Sequence, residues 1–486
     1  MIASVSRRAA RGLMLVICLL VALPVVAAPA PVDRAALDKA LKTSRDPKQE
    51  EVLATCLREA CATPAATDVV MIVLSEGTAA QRLIGAGVAA EKLPVAGIVQ
   101  CVQRLQPSAQ PDERRWLLRA LGTRSADVTT AERKQVVGLL EAEVRGSNPA
   151  MRVAALSSLA DLGSADSLDL LIGQVTVVPA MQESWNRDRD SPVQMTRLGV
   201  VEAMTGKRFL LTGDLKSWWN EHAATVRGTH PDPMTWTIDR PAPMDVSRTG
   251  TMTRSFVVSV QDWPKGDVSD PLADAIDAAA ATSRNSAASV FGRVYIPTIK
   301  MAIAEKNAFA KYGATSTNYA GYAQGQRVVM QPPTGQLSVF AGVLVHEYGH
   351  IIHQAQYATQ PRWLSEGLAE SIARSARGSP FAGRGPKLSQ AMRQRLKAGA
   401  VSGLVQWTAE GSTNESGDLY SHAHMAVDFL RFGPIASAAA KFNGLMGRLD
   451  RGESATTAIK AVYGCDPKDL DQRMLDWLDF AAAPGK

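Results

Sequence analysis

Aromatic side chains are scarce in this chain, 6% of its residues, while alanine is frequent from end to end. That balance disfavours a sandwich of short β-branched and aromatic strands and predicts that helix dominates. A surplus of one charge is also lacking, since 53 Lys and Arg stand against 47 Asp and Glu. The basic residues are spread out and form no stripe, which excludes nucleic-acid binding as the main task. The composition, 46% hydrophobic and 21% charged, excludes a mainly disordered, collagen-like or polytopic membrane protein. Histidine is rare as well. Of seven in all, His346, His350, His353, His422 and His424 fall in one part of the C-terminal half, which marks that part for the chemistry.

With 486 residues the chain exceeds the usual size of a single core, so two or more domains are expected. Arg7, Arg8 and Arg11 supply half of the formal charge of +6 and precede an apolar run from Leu13 to Val26 that ends in small residues. This is the layout of a secretory signal peptide over residues 1–27, cut after Ala27, and it predicts a periplasmic or secreted protein. The run is short for a bilayer span of about 20 residues, so no stable membrane span is expected after processing. Cys56, Cys61, Cys101 and Cys465 then remain. An even count in an oxidising compartment allows two disulfides in any of three pairings, with buried free thiols as the alternative, and no CxxC pair points to metal.

Residues 28–228 read as helices of a dozen or so residues with short polar breaks. The clearest unit is NPAMRVAALSSLADLGSADSLDLLIGQV, in which Val153, Leu156 and Leu159 share one face, Gly163 ends the helix, and Leu168, Leu171 and Ile172 make the next apolar face. A looser copy combines Arg115 to Gly122 with the stretch from Ala131 to Val144, and a third unit runs from Pro192 to Trp219. The clearest unit resembles a HEAT-type repeat at Pro149, Arg152 and Asp166. The resemblance implies an α-solenoid, serving either as a platform for a protein partner or as packing support for the C-terminal half. Pro231, Pro233, Pro241 and Pro243 mark a linker over residues 229–250.

Residues 251–486 change character. Met252 to Val260 alternates as a strand, Pro271 to Ala288 reads as a helix, and Tyr295 to Ile303 is apolar and β-branched. Asn318 to Met330 reads as two short strands around Gly325, followed by a long apolar helix from Leu337 to Ala355. That helix carries HEYGH. Histidines four apart lie on one helical face, so His346 and His350 can reach one tetrahedral cation with Glu347 beside them. A catalytic zinc usually takes a third protein ligand and keeps one open position. A metzincin would need glycine and histidine where this chain has His353 and Gln356, whereas PRWLSEGLAESIAR offers Glu366 on a second helix.

HEYGH followed by WLSEGLAE resembles the gluzincin zinc metallopeptidases, and the WLxEG pattern is that of the aminopeptidase N group. The resemblance implies an α+β zincin-type domain, one Zn2+ per chain held by His346, His350 and Glu366, and Glu347 as general base. The connecting loop is shorter than is usual in that group. Glu370, one turn beyond Glu366, takes the place of a carboxylate that orients a ligand histidine, here His346. For the oxyanion donor the resemblance points to a downstream tyrosine, Tyr420 in LYSHAHMAVDFL, with His422 or His424 as runner-up. His353 is expected at the cleft edge or on the surface, and His222 and His230 in structural roles. Aminopeptidases hold the substrate amine with a carboxylate before the active helix, and no acidic residue lies between Glu305 and Glu347. That favours an endopeptidase acting on a peptide or protein laid along the Asn318 to Met330 strands. The alternative is a partner-binding helical-repeat protein with a catalytically silent zincin-like domain.

Overall fold

A computed structural model describes residues 34–43, 47–175, 191–208, 212–229, 250–313 except 254 and 265, 320–376 and 417–482. The expected signal segment, nearly all of the proline-rich linker and His230 lie outside the described residues. The chain is mostly helical with one small mixed sheet. Among the described residues no helix is long and apolar enough to cross a membrane.

The first half runs α1 (Arg34–Thr43), α2 (Pro47–Ala60), α3 (Ala66–Glu76), α4 (Ala79–Lys92), α5 (Val95–Arg104), α6 (Pro111–Thr123), α7 (Thr130–Val144), α8 (Pro149–Leu162), α9 (Leu168–Gly173), α10 (Ser191–Thr205) and α11 (Thr212–Thr229). Local signals set these boundaries. Thr78 and Gln81 close a capping box on α4, and Thr129 and Glu132 do the same on α7. Asn148 accepts from the Ala150 and Met151 N–H groups with Pro149 in the first turn of α8, and Gly163, at φ 66°, ends it in the left-handed conformation. The helices bury one continuous cluster that includes Leu57, Val73, Ile84, Ile98, Leu118, Leu156 and Leu198.

The second half begins with β1 (Gly250–Met252) and β2 (Phe256–Ser259), then α12 (Asp270–Phe291), β3 (Ile299–Ile303), β4 (Gly321–Gln324) and β5 (Arg327–Met330). The stretch expected as one strand from Met252 to Val260 is a tight antiparallel pair instead, with Met252 opposite Val257. Thr253 makes the turn, its Oγ1 accepting from the Ser255 and Phe256 N–H groups, a local competitor that strand alternation does not reveal. The sheet order is β1-β2-β3-β5-β4, with β2, β3 and β5 parallel and β4 an antiparallel edge. Phe256, Val258, Met301, Ile303, Val328 and Met330 face the helices, while Ala302, Val329 and Tyr322 pack under a 3-10 turn through Phe309.

Next come α13 (Leu337–Gln356), α14 (Arg362–Ala376), α15 (Gly417–Phe432), α16 (Ala438–Asp450), α17 (Ala455–Tyr463) and α18 (Pro467–Ala482). α13 is the centre of this half, packed on α12, α14 and the edge strand. Two glycines let α13, α14 and α15 approach closely. A Cβ on Gly349 would stand 3.2 Å from Cα of Ala369, and one on Gly367 would stand 2.4 Å from the carbonyl oxygen of Ala423.

The two halves are joined by polar contacts, two of them buried and one partly exposed. Arg115 lies over the Tyr357 ring, 3.9 Å from its centroid, and donates to the Gln356 carbonyl at the end of α13. Lys441, fully buried, pairs with Glu50 at 2.6 Å, and Arg451 forks onto Asp112 at 2.8 and 2.9 Å. Among the described residues no disulfide forms. Burial pushes the Cys61 thiol up to about 11 and the Cys101 thiol up to about 12, so both stay protonated and unreactive near neutrality.

Candidate metal centre

His346 and His350 stand one turn apart on α13, and the closeness allowed by Gly349 brings Glu366 of α14 against them. Glu366 Oε2 is 3.5 Å from His346 Nε2 and 3.4 Å from His350 Nε2. One ligand atom from each of the three residues falls within 4.8 Å of the others, so the group could hold a metal ion. Two ligands each about 2.0–2.1 Å from a tetrahedral zinc stand about 3.4 Å apart, so the imidazole-to-carboxylate spacings fit such an ion without rearrangement. All three side chains are largely but not wholly buried, which leaves an approach from solvent.

The two histidines have different neighbours on their far sides. His346 Nδ1 is 3.3 Å from Glu370 Oε1, the carboxylate expected to orient it. Arg374 pairs with the same carboxylate at 3.0 Å. His350 Nδ1 lies 3.1 Å from His353 Nε2 and 3.2 Å from Ser365 Oγ.

The electrostatics follow from this crowding. Burial pushes the Glu366 carboxyl up, but contacts with His346 and His350 outweigh it and hold the group well below the usual carboxylate range. Burial likewise opposes ionisation of Glu370, which His346 and Arg374 nevertheless bring down to about 2. Burial alone would lower His346, yet Glu366 and Glu370 raise it to about 10. Two carboxylates thus concentrate negative charge around one imidazole, a setting in which a proton or a cation is favoured.

Glu347 is buried beside His346, His350 and Glu366. Burial raises its pKa, against the opposing charges of His346 and His350. Tyr420 on α15 is half-buried with its ring 6.3 Å from that of His346, so the structure brings it to the same cleft.

Of the other histidines, His353 falls differently from expectation. His353, expected at the surface or cleft edge, is 1% exposed, because α14 closes over that turn of α13 and sets Ser365 against its ring. His424, a runner-up for the oxyanion donor, is buried with Nε2 2.9 Å from Asp428 Oδ2, and Asp428 also accepts from Ser371. The Ser371 bond to Asp428 ties α14 to α15, while His424 and Asp428 pair within α15. His422 is buried too and does not belong to the ligand group. His222 is exposed and stacks on Trp218, with ring centroids 5.2 Å apart. Sequence reasoning missed Ser365 and the inward turn of His353. The one available signal is that Ser365 directly precedes the ligand glutamate.

No protein-family model matches the chain, and no curated protein matches it. The chemistry of the centre itself is what points to a role.

Proposed function

We propose that the protein is a zinc-dependent peptidase. The observation that carries the reading is the convergence of His346, His350 and Glu366 with Glu347 alongside on a buried helix face. Zinc held by those three residues would supply Lewis acidity, bringing a water's pKa to about 7 and polarising a carbonyl. Glu347 then takes a proton from the attacking water and returns it to the leaving amine. Tyr420 donates its phenolic proton as a hydrogen bond to the developing oxyanion, and Glu370 keeps His346 turned toward the ion.

Residues 251–486 are on this reading a gluzincin-like domain, with the peptide substrate added beside edge strand β4. The absence of an acidic residue between Glu305 and Glu347 favours internal cleavage over removal of terminal residues. Residues 28–228 form a HEAT-like helical array whose seam contacts support a role in holding α13. An exported, periplasmic or secreted location goes with residues 1–27 as a signal peptide.

The test is Glu347→Gln in the full chain. Turnover of an N-terminally blocked peptide should fall about 10²–10⁴-fold or more while one equivalent of zinc stays bound. Unchanged turnover would overturn Glu347 as the general base, and no cleavage by the native chain would favour the silent-scaffold alternative. Cleavage of unblocked peptides alone would reverse the endopeptidase reading.

A further inference from the structure

The two ligand histidines have unlike partners on their far sides. His346 faces the Glu370 carboxylate. Among the described residues His350 faces no carboxylate there: its Nδ1 meets the imidazole of His353 at 3.1 Å and the hydroxyl of Ser365 at 3.2 Å. Ser365 Oγ is in turn 3.1 Å from His353 Nε2, so three polar atoms close a small ring.

The donor count in that ring favours one arrangement. If His350 offers Nε2 to an ion, its proton sits on Nδ1 and must be donated. A second proton on Nε2 of His353 would set two N–H groups against each other at 3.1 Å. With its lone pair free, Nε2 of His353 accepts from His350 and from the Ser365 hydroxyl, which places the His353 proton on Nδ1. His353 Nδ1 is buried and has no hydrogen-bond partner among the described residues. A core position that needed only volume would be filled by Leu or Met without leaving an N–H unsatisfied.

Resting on the metal-centre reading, we propose that His353 is a positioning residue for the metal: its Nε2 accepts the Nδ1 proton of His350 and fixes which nitrogen of that ligand faces the ion. The centre then has one anionic support, Glu370 on His346, and one uncharged support, His353 on His350. The sequence pattern that encodes it is a third histidine three residues after HExxH. Helix geometry explains why it is not a ligand itself. His353 is seven residues from His346, so it shares the ligand face but stands about 10 Å further along the axis, where it meets the back of His350 before it could reach the ion.

Zinc itself is the probe, measured by competition with a chromophoric chelator on the full-length chain. His353→Leu should lower zinc affinity about 10–100-fold, and His353→Gln, whose amide oxygen can accept the same proton, should recover much of the loss. Native affinity in the Leu variant overturns the inference while leaving the metal centre standing. Failure of the native chain to bind zinc overturns the metal-centre reading and this inference with it. Should the Leu variant not fold, the native zinc-loaded protein decides the matter through nitrogen-15 NMR of labelled histidines. Correlations showing His353 protonated on Nδ1 with a bare Nε2 support the role; a proton on Nε2 ends it.

Discussion

The helical first half and the sheet-bearing second half are stabilised by different means. In the first, boundaries follow from residues a few positions apart: a capping box at Thr78, another at Thr129, a left-handed glycine at Gly163. In the second, the decisive contacts are between elements distant in sequence. Only glycine fits at position 367 because α15 crosses it closely, and His424, Asp428, Ser371 and Arg431 form a buried polar cluster across α14 and α15. The candidate metal centre lies in this second half. A centre of three ligands on two helices needs close helix approach and internal charge, both of which trade local regularity for tertiary fit.

The seam between the halves offers the largest effect against which to test this contrast. Lys441→Met would strand the Glu50 carboxylate in the interior, and loss of one partner of a buried pair costs about 3–5 kcal/mol. Chemical denaturation should show that loss in both halves together, and Lys441→Met combined with Glu50→Leu should recover most of it. Separate unfolding of the two halves, with only one affected, would show the seam to be incidental.

Next in size is Gly367→Ala. Its Cβ would meet a backbone oxygen at 2.4 Å, so α14 and α15 must part, costing about 1–3 kcal/mol and loosening Glu366 from the histidines. Calorimetry and zinc titration should both register the change. An unaltered zinc affinity would mean that the close crossing does not set the ligand geometry.

Acid sensitivity tests the contrast in another way, because two buried carboxyls respond with opposite sign. Burial raises Asp428, but His424, Arg431 and Ser371 outweigh it and hold the carboxyl below its ordinary value of 3.8. Its stabilisation is present above that value and is lost as pH falls through the depressed folded-state pKa. Glu113 on α6 is raised above 4.5 by burial, despite Arg82. Its folded state prefers the proton, so its contribution is full below 4.5 and is lost as pH rises through the raised value. Melting temperatures from about pH 6 to about pH 3 should therefore fall less steeply for Asp428→Asn than for the native chain, and more steeply for Glu113→Gln. Parallel slopes would remove the distinction.

The smallest effect belongs to the regular half. A Cβ added to Gly138 on α7 would meet nothing within 4 Å, so Gly138→Ala should stabilise the protein by about 0.5–1 kcal/mol with the zinc affinity unchanged. A destabilised variant would show that even this half depends on packing beyond its own helix turns.

Much of this architecture is legible in the chain alone. The helix expected from Leu337 to Ala355 runs to Gln356, since its long apolar pattern lies in one stretch of chain. The helical pair around Gly163 is equally clear. The turn at Thr253 is not, because a side chain capturing backbone N–H groups leaves no mark on apolar alternation. The burial of His353 is hidden too, because helical spacing says where it points relative to the ligands and nothing about which helix covers that turn.

Read alone, the sequence specifies the helices, their caps, and the identity and spacing of His346, Glu347, His350 and Glu366, because those depend on the constant geometry of a helix turn and on residue chemistry. Tertiary packing is what makes Glu366 meet both histidines, sets His353 behind His350, gives His424 to Asp428, and lets the helical half clasp the end of α13. Those outcomes depend on how closely helices far apart in the chain can approach, which is set by side-chain volume and buried polar pairing across the whole core.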